Sequence, residues 1–185
     1  MPPTVAGVID AGLWRRCIIA GMNTPAEPRW KPSVTVAAIA VRDDADGPRY
    51  LLVEEMTPEG LRLNNPAGHL DPGESPQQAA VRECLEETAC DFAPQALLGV
   101  YLARLQRGDE DITYLRFAFC GTVGEADPGR GLDAPIVRTL WLTPQEIRDS
   151  AAHHRSPLVL RCIEDHLAGR RLPLDALTVD ASVWR

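Results

Sequence analysis

The strongest constraint on the fold is the stretch RECLEETA at residues 82–89, which combines an arginine with three closely spaced glutamates. An α-helix has about 3.6 residues per turn, so side chains three and four positions apart lie on one face. Glu83, Glu86 and Glu87 have this spacing, while Cys84 falls on the opposite side. The stretch therefore predicts a helix with one buried stripe and one stripe of carboxylates.

This carboxylate stripe has two interpretations. Solvated acidic faces are common, although like charges on a helix repel one another by roughly 0.2–0.5 kcal/mol per pair. No lysine lies four residues before or after these glutamates to relieve the repulsion. A hard cation such as Mg²⁺ or Mn²⁺ would turn this repulsion into a favourable interaction, because such ions take oxygen ligands. The stripe alone leaves both interpretations open.

The chain around the acidic stretch predicts an α/β domain with a mixed sheet. Ser75-Pro76, with Gln78 completing a capping box, predicts the start of the acidic helix, and the preceding NNPAGHLDPGE predicts turns throughout. Two further helices are predicted to begin at Thr143 and Ser156, the second ending at Gly169. Five apolar runs predict strands, the first two forming a hairpin, at residues 33–42, 49–55, 97–105, 112–123 and 136–143.

The domain pattern occupies residues 31–180, and residues 1–30 differ from it. The chain has 185 residues of which 45% are hydrophobic, enough for one sizeable core. Residues 1–30 lack clear periodicity and end in a proline-rich segment. We expect a poorly packed N-terminal extension there, with a helix packed on the domain as the alternative.

Composition limits the partners and the compartment. The formal net charge of −7 argues against binding of nucleic acid polymers, which requires a basic face. No run of about 18 apolar residues is present, so no membrane span is predicted. The cysteines are odd in number and form no CxxC pair, which predicts reduced core thiols in a cytoplasmic protein. They are Cys17, Cys84, Cys90, Cys120 and Cys162.

Read as a whole, residues 68–90, GHLDPGESPQQAAVRECLEETAC, resemble the Nudix box, which has glycine, glutamate, Arg-Glu and Glu-Glu at fixed spacings. The matching positions are Gly68, Glu74, Arg82, Glu83, Glu86 and Glu87. Ala89 departs from the box by replacing its final glycine, and left-handed backbone there would make alanine costly. The wider resemblance covers about residues 31–175 and is to the NudJ-type phosphatase subgroup of Nudix hydrolases.

The resemblance implies a Nudix-type α/β/α sandwich with a mixed sheet and cleavage of a phosphoanhydride with divalent cations, Mg²⁺ or alternatively Mn²⁺. It makes Glu83, Glu86 and Glu87 the metal-binding carboxylates, and we expect Glu83 also to accept the proton of the attacking water. The main-chain carbonyl of Ala67 is a further expected ligand.

The other residues of the box are assigned supporting roles. We expect Arg82 and Glu74 to pair and to hold the loop against the helix near the chemistry. Gly68 and Gly73 would allow the backbone turns that bring the loop over the helix.

Outside the box, three residues are candidates for contacts in the site. Asp133 is at a place where Nudix enzymes often have another acid near the metals, and a plain loop acid is the alternative. Arg104 and Arg116 lie on predicted strands and are candidate phosphate contacts, with surface charges as the alternative.

The leading functional interpretation is hydrolysis of nucleoside tri- and diphosphates and of thiamine-pathway pyrophosphates, with release of phosphate. One alternative is a pyrophosphatase for ADP-ribose, NADH or dinucleoside polyphosphates. The other is a non-catalytic Nudix domain that senses nucleotides. The expected partner is a small phosphorylated molecule, and the protein is expected to be a monomer or a homodimer without a membrane or a nucleic acid polymer as partner.

Overall fold

The computed structural model describes residues 29–184, and the predicted extension over residues 1–30 lies outside them except for its last two positions. The strands are β1 (Ser33–Asp44), β2 (Gly47–Thr57), β3 (Gly60–Asn64), β4 (Ala67–His69), β5 (Phe92–Arg107), β6 (Glu110–Val123) and β7 (Ile136–Leu142). The helices are α1 (Pro76–Thr88), α2 (Pro144–Asp149) and α3 (Leu158–Leu167), with short 3₁₀ turns at Ala151–His153, Leu174–Ala176 and Ala181–Trp184. All five predicted strands and all three predicted helices are present.

The strands form a mixed sheet in the order β3-β2-β1-β6-β5. β1 pairs with β6 in parallel, and β1 also pairs with β2 and β4 in antiparallel fashion. β7 adds to the sheet through β2, and β5 through a long antiparallel hairpin with β6. β1 is therefore central, which is why its sequence, VTVAAIAV, is apolar at nearly every position.

Alternate residues of β1 enter two separate cores. Val36, Ala38 and Ala40 pack with α1, whereas Ala37 and Ile39 pack with α2 and α3 on the other face. The residues that the helices contribute are Ala79, Ala80 and Cys84 from α1, and Ile147, Val159, Cys162 and Ile163 from α2 and α3. Since successive side chains of a strand point to opposite faces, a sheet covered on both faces gives the α/β/α sandwich that was predicted.

The helix starts follow the capping signals. Ser75 accepts a hydrogen bond from the Gln78 N–H, and the Gln78 side chain accepts one from the Ser75 N–H. Thr143 and Glu146 form the same reciprocal box at the start of α2. α1 ends at Ala89, which has φ 57° and ψ 20°, so this alanine is left-handed.

The prediction of turns throughout residues 64–74 was wrong for part of that segment. Residues 67–69 form β4, which pairs with β1 through Ala37↔Ala67, Val36↔Gly68 and Thr35↔His69. β3 was also missed by the sequence analysis. β3 has five residues and β4 three, so pairing with neighbouring strands rather than a local pattern determines them.

The described cysteines agree with the prediction of reduced core thiols. Cys84, Cys90, Cys120 and Cys162 are all buried and free. Cys17 lies outside the described residues. No helix in residues 29–184 is long and apolar enough to cross a membrane.

Candidate active site

The guanidinium of Arg82 connects the acidic face of α1. Its Nη1 donates to Glu83 Oε1 at 2.8 Å and to Glu86 Oε2 at 3.0 Å. The glutamate repulsion that the sequence predicted is therefore partly relieved by an arginine four residues before Glu86. The three side chains are only 14–30% exposed, so these ion pairs are shielded from solvent more than ordinary surface pairs.

Arg82 also connects α1 to the loop that precedes it. Its Nε and Nη2 donate to the two carboxylate oxygens of Glu74 at 3.1 and 2.7 Å, and Nη2 also donates to the carbonyl of His69. Glu74 in turn accepts from the Asp71 N–H, and Arg82 lowers the pKa of Glu74. Gly73 allows this loop its turn with φ +87°. The predicted contact between Arg82 and Glu74 is thus present and ties loop to helix.

Gly68 lies against the carboxylate of Glu83. A Cβ built on Gly68 would overlap the carboxyl carbon and both carboxylate oxygens of Glu83. A side chain at position 68 would have to displace this carboxylate, because the β4 backbone passes directly over the acid. Burial raises the pKa of Glu83, although the contact with Arg82 opposes that effect.

Glu87 faces the same loop one turn further along the helix. Its Oε2 accepts a 2.8 Å hydrogen bond from the Ala67 N–H. Burial, together with the negative charges of Glu83, Glu55 and Asp133, raises the pKa of Glu87 to about 8 against the lowering effect of that hydrogen bond. We call Glu55, Glu83, Glu87 and Asp133 the acid cluster, because the charges of the other three act on Glu87.

Asp133 is brought to this cluster by the loop that follows β6. The Asp133 N–H donates to the Glu86 carbonyl at 3.0 Å, and the Asp127 N–H donates to the Ala89 carbonyl at 2.8 Å. Two backbone hydrogen bonds thus fasten the loop to the C-terminal half of α1. The left-handed Ala89 is one of the two attachment points.

The acids have the chemistry of a site for a hard cation. Carboxylate and main-chain carbonyl oxygens are the ligands that Mg²⁺ takes, and repulsion among buried carboxylates is what a cation relieves. In the described part of the chain, however, no three His, Cys, Asp or Glu side chains surround a common point. Arg82 draws Glu83 and Glu86 to itself, and Glu87 turns to the Ala67 N–H. The donor set fits a divalent cation, while these side-chain positions do not converge on one.

A cavity of about 390 Å³ opens beside the start of the box, with Ala67 and Gly68 in its wall. Arg116 lines it from β6 and is only 9% exposed. Burial lowers the pKa of Arg116, and Glu55 and Glu87 are among the acids that act on it. A buried cation thus lies close to the acid cluster.

Arg104 also lines this cavity, but its position differs from that of Arg116. Its Nε and Nη2 donate to the carboxylate of Asp111 at 2.6 and 2.5 Å across the β5–β6 hairpin. The side chain is 65% exposed. The sequence did not predict which of the two candidate arginines would be buried and which exposed.

Sequence analysis missed several polar residues of the cavity. Glu55 from β2 accepts a hydrogen bond from Asn64 Nδ2 at 3.1 Å and pairs with Arg155. Ser156 and Thr35 also line the cavity. Nothing in the spacing of these residues distinguishes them, since they lie on separate elements that only the fold brings together.

Comparisons with known proteins agree with this architecture. The NUDIX domain family model matches residues 31–162. Phosphatase NudJ of Escherichia coli strain K12 is 33% identical over 150 residues, which are 80% of this chain and 92% of that protein. The structure of a NUDIX hydrolase from Nitrosomonas europaea matches with a TM-score of 0.74 and 50% identity, covering 81% of this chain and 98% of the other.

The NUDIX domain of Shewanella oneidensis NrtR, solved in complex with ADP ribose, matches with a TM-score of 0.60. It is 16% identical, and the match covers 88% of this chain and 99% of that one. Similarity at this identity concerns the fold alone.

Proposed function

Because the chain belongs to the Nudix hydrolase family, whose members act on phosphoanhydrides, we propose that it hydrolyses nucleoside tri- and diphosphates and thiamine-pathway pyrophosphates with Mg²⁺ and releases phosphate. The observation that carries the proposal is the position of Glu83. Its carboxylate lies under the Gly68 backbone, is held by Arg82, and belongs to an acid cluster beside a cavity with a buried arginine. The similarity to Phosphatase NudJ supports release of phosphate, and the substrate class is the one that the resemblance of residues 31–175 to the NudJ-type subgroup implies.

Some of these residues would hold the ion, and others position the residues that hold it. Glu83, Glu86, Glu87 and the Ala67 carbonyl would hold the cation, with Mn²⁺ as a second candidate. Such an ion neutralises phosphate oxygens and lowers the pKa of a bound water. Asp133 adds negative charge beside them.

Arg82 and Glu74 act as positioning residues in this proposal. Arg82 donates to Glu83 and Glu86, and Glu74 holds two nitrogens of Arg82. Because positioning and electrostatics account for most of the catalysis of phosphoryl transfer, a rigid support under the carboxylates matters for the rate.

The proton transfer is assigned to Glu83. Water attacks phosphorus, its proton passes to the Glu83 carboxylate, and the anhydride P–O bond breaks with its electron pair on the leaving phosphate oxygen. Arg116, and Arg104 at the exposed side of the cavity, are the proposed contacts to the substrate.

A release assay tests the activity. Orthophosphate and pyrophosphate are measured from ATP, ADP, thiamine pyrophosphate, ADP-ribose and NADH in MgCl₂, MnCl₂ and EDTA. Orthophosphate from both ATP and ADP in MgCl₂ supports the proposal. Cleavage of ADP-ribose or NADH alone supports the pyrophosphatase alternative, and nucleotide binding without any turnover supports a sensor.

Two variants test the assigned carboxylates. Glu83→Gln and Glu87→Gln should each lower kcat by at least about 10²-fold, comparable to the loss of a preorganised electrostatic contact. The Tm in EDTA should hold or rise in both, because repulsion in the acid cluster falls. Glu125→Gln, an exposed change of the same kind, is the matched control. Wild-type rates in both cluster variants would contradict the assignment.

A further inference from the structure

The chain that follows α3 passes around the edge of the sheet and reaches α1. β5 is the last strand in the order of the sheet, and Leu172 pairs with it through two 2.9 Å backbone hydrogen bonds to Leu97. Leu174 and Leu177 then pack against the core that α1 shares with the sheet. We call residues 170–184 the C-terminal strap, because they connect α3 on one face of the sheet to α1 on the other.

The sequence of the strap explains this path. Leu174 and Leu177 are three residues apart around a short 3₁₀ turn, and side chains at that spacing lie on the same side of such a turn. A second 3₁₀ turn ends at Trp184. Asp180 precedes this turn, and its carboxylate accepts a 2.9 Å hydrogen bond from the Ser182 N–H. The second turn is therefore capped, and its last residue is the tryptophan.

Trp184 contacts the first turn of α1. Its indole Nε1 donates to Oε1 of Gln78 at 3.3 Å. The same Oε1 accepts the 2.9 Å hydrogen bond from the Ser75 N–H that completes the capping box. An indole has a single hydrogen-bond donor, and this one is directed at the side-chain atom that closes the start of the acidic helix.

The start of α1 is connected to the residues that hold the catalytic carboxylates. Glu74 directly precedes Ser75 in the chain, and both of its carboxylate oxygens accept from Arg82. Arg82 in turn donates to Glu83 at 2.8 Å. A shift of the first turn of α1 would therefore move Glu74 and Arg82, and with them the support of Glu83.

We propose that the C-terminal strap is a positioning element of the active site: Trp184, through Gln78, holds the start of α1 where Glu74 and Arg82 keep Glu83 in place. The inference rests on the proposed function, because it gives the strap a role in that reaction. Trp184 acts through other residues, so its loss should lower kcat and the affinity for Mg²⁺ while KM stays nearly constant.

Trp184→Phe tests the hydrogen bond, because it keeps an aromatic ring and removes the N–H donor. The kcat is measured well below the Tm, on the diphosphate that the wild type hydrolyses fastest. It should fall about three- to tenfold, as expected for one lost hydrogen bond, with KM within about twofold. The Kd of Mg²⁺, measured by calorimetry without substrate, should rise by about threefold or more.

Trp30→Phe is the matched control, since it makes the same change in an exposed tryptophan that precedes β1. It should leave kcat and the affinity for Mg²⁺ as in the wild type. A strap that only stabilised the fold would lower the Tm of Trp184→Phe and leave both quantities within about twofold, because nearly all molecules are folded well below the Tm. That result would overturn the proposal.

A double-mutant cycle tests whether Trp184 acts through Gln78. Gln78→Met removes the acceptor of both hydrogen bonds and should lower kcat at least as far as Trp184→Phe, whereas Gln77→Met, the same change one residue earlier, should not. Adding Trp184→Phe to Gln78→Met should lower kcat by less than about twofold more, because the effects of residues in contact do not add. Fully multiplied effects would overturn the proposal.

Gln78→Glu keeps the inference testable if Gln78→Met fails to fold. A glutamate retains the acceptor for Trp184 and the capping box with Ser75, so kcat and the affinity for Mg²⁺ should be retained. Loss of both in Gln78→Glu would contradict the role assigned to the acceptor oxygen.

Hydrogen exchange separates failure of this inference from failure of the proposed function, because it requires no turnover. Trp184→Phe should speed exchange of the Ser75 N–H, and unchanged exchange would overturn the proposal whether or not the protein is active. Faster exchange and weaker Mg²⁺ binding in a protein that hydrolyses no diphosphate would contradict the proposed function and support the strap. Hydrolysis with equal kcat in the wild type and Trp184→Phe would leave the function standing and contradict the strap.

Discussion

The backbone of Gly68 passes so close to the carboxylate of Glu83 that any side chain at position 68 would overlap it. β4 fixes the glycine through its pairing with Val36 of β1, and α1 fixes the glutamate. The Gly68 backbone cannot withdraw without disturbing the sheet, so a side chain at position 68 would have to displace the Glu83 carboxylate. The conformation of an acid in the site therefore depends on the absence of a single methyl group.

Gly68→Ala should displace the Glu83 carboxylate and lower kcat/KM by about 10²-fold, because displacement of a reacting group by about 1 Å can have an effect of that size. Phosphate release from ADP in MgCl₂ measures the effect. Gly124→Ala is the matched control, since a Cβ at Gly124 meets nothing within 4 Å. Unchanged activity in Gly68→Ala would show that the position of Glu83 does not limit the rate.

Divalent metal should stabilise the folded protein even without substrate. A cation held by Glu83, Glu86 and Glu87 relieves the repulsion that Glu83, Glu55 and Asp133 exert on Glu87. A ligand that binds only the folded state adds about 2.7 kcal/mol at a hundred times its Kd. The Tm should therefore rise when MgCl₂ replaces EDTA at matched ionic strength, and rise less in Glu87→Gln. The same increase in both proteins would place the ion elsewhere.

Acidification should destabilise the protein through His166. Its Nδ1 lies 2.7 Å from the hydroxyl of the fully buried Tyr50, and burial, with Arg171 adding to it, lowers the pKa of His166 from 6.5 to about 4. The unfolded chain takes up the proton first, so the native state loses stability as the pH falls from about 6.5 towards 4. The contribution between pH 7 and 5 is at most about 2 kcal/mol.

Denaturant unfolding at pH 7 and pH 5 measures this contribution. His166→Asn should reduce the difference between the two pH values, whereas the same change at the exposed His153 should leave it as in the wild type. An identical pH dependence in His166→Asn and the wild type would assign the effect to other groups.

Ala89→Gly should stabilise the fold slightly. Left-handed backbone costs an alanine about 1–2 kcal/mol, while removal of a buried methyl group loses about 0.8 kcal/mol, so a net gain near 0.5 kcal/mol is expected. Ala80→Gly, in the right-handed interior of α1, should instead destabilise. Equilibrium denaturation compares the two. Turnover should change less than threefold in Ala89→Gly, and a large gain would mean that the loop attached at Ala89 affects catalysis.

Much of α1 could be predicted from the sequence because the relevant interactions are local. The spacing of Glu83, Glu86 and Glu87 places them on one face for any helix, and Ser75 with Gln78 specifies its start. Capping and side-chain periodicity act over three or four residues, so neighbours in the chain suffice to predict them. β4 escaped prediction because its three residues become a strand only beside β1.

The burial of Arg116 and the exposure of Arg104 were decided by the tertiary structure alone. Both are arginines on predicted strands, yet one is exposed and paired with Asp111 while the other is buried in the cavity. The sequence by itself determined five of the seven strands and the acidic helix. Burial of Arg116, and its place with Glu55 in the wall of one cavity, depended on which strands and helices cover it, because solvent exclusion arises from contacts between residues far apart in the chain.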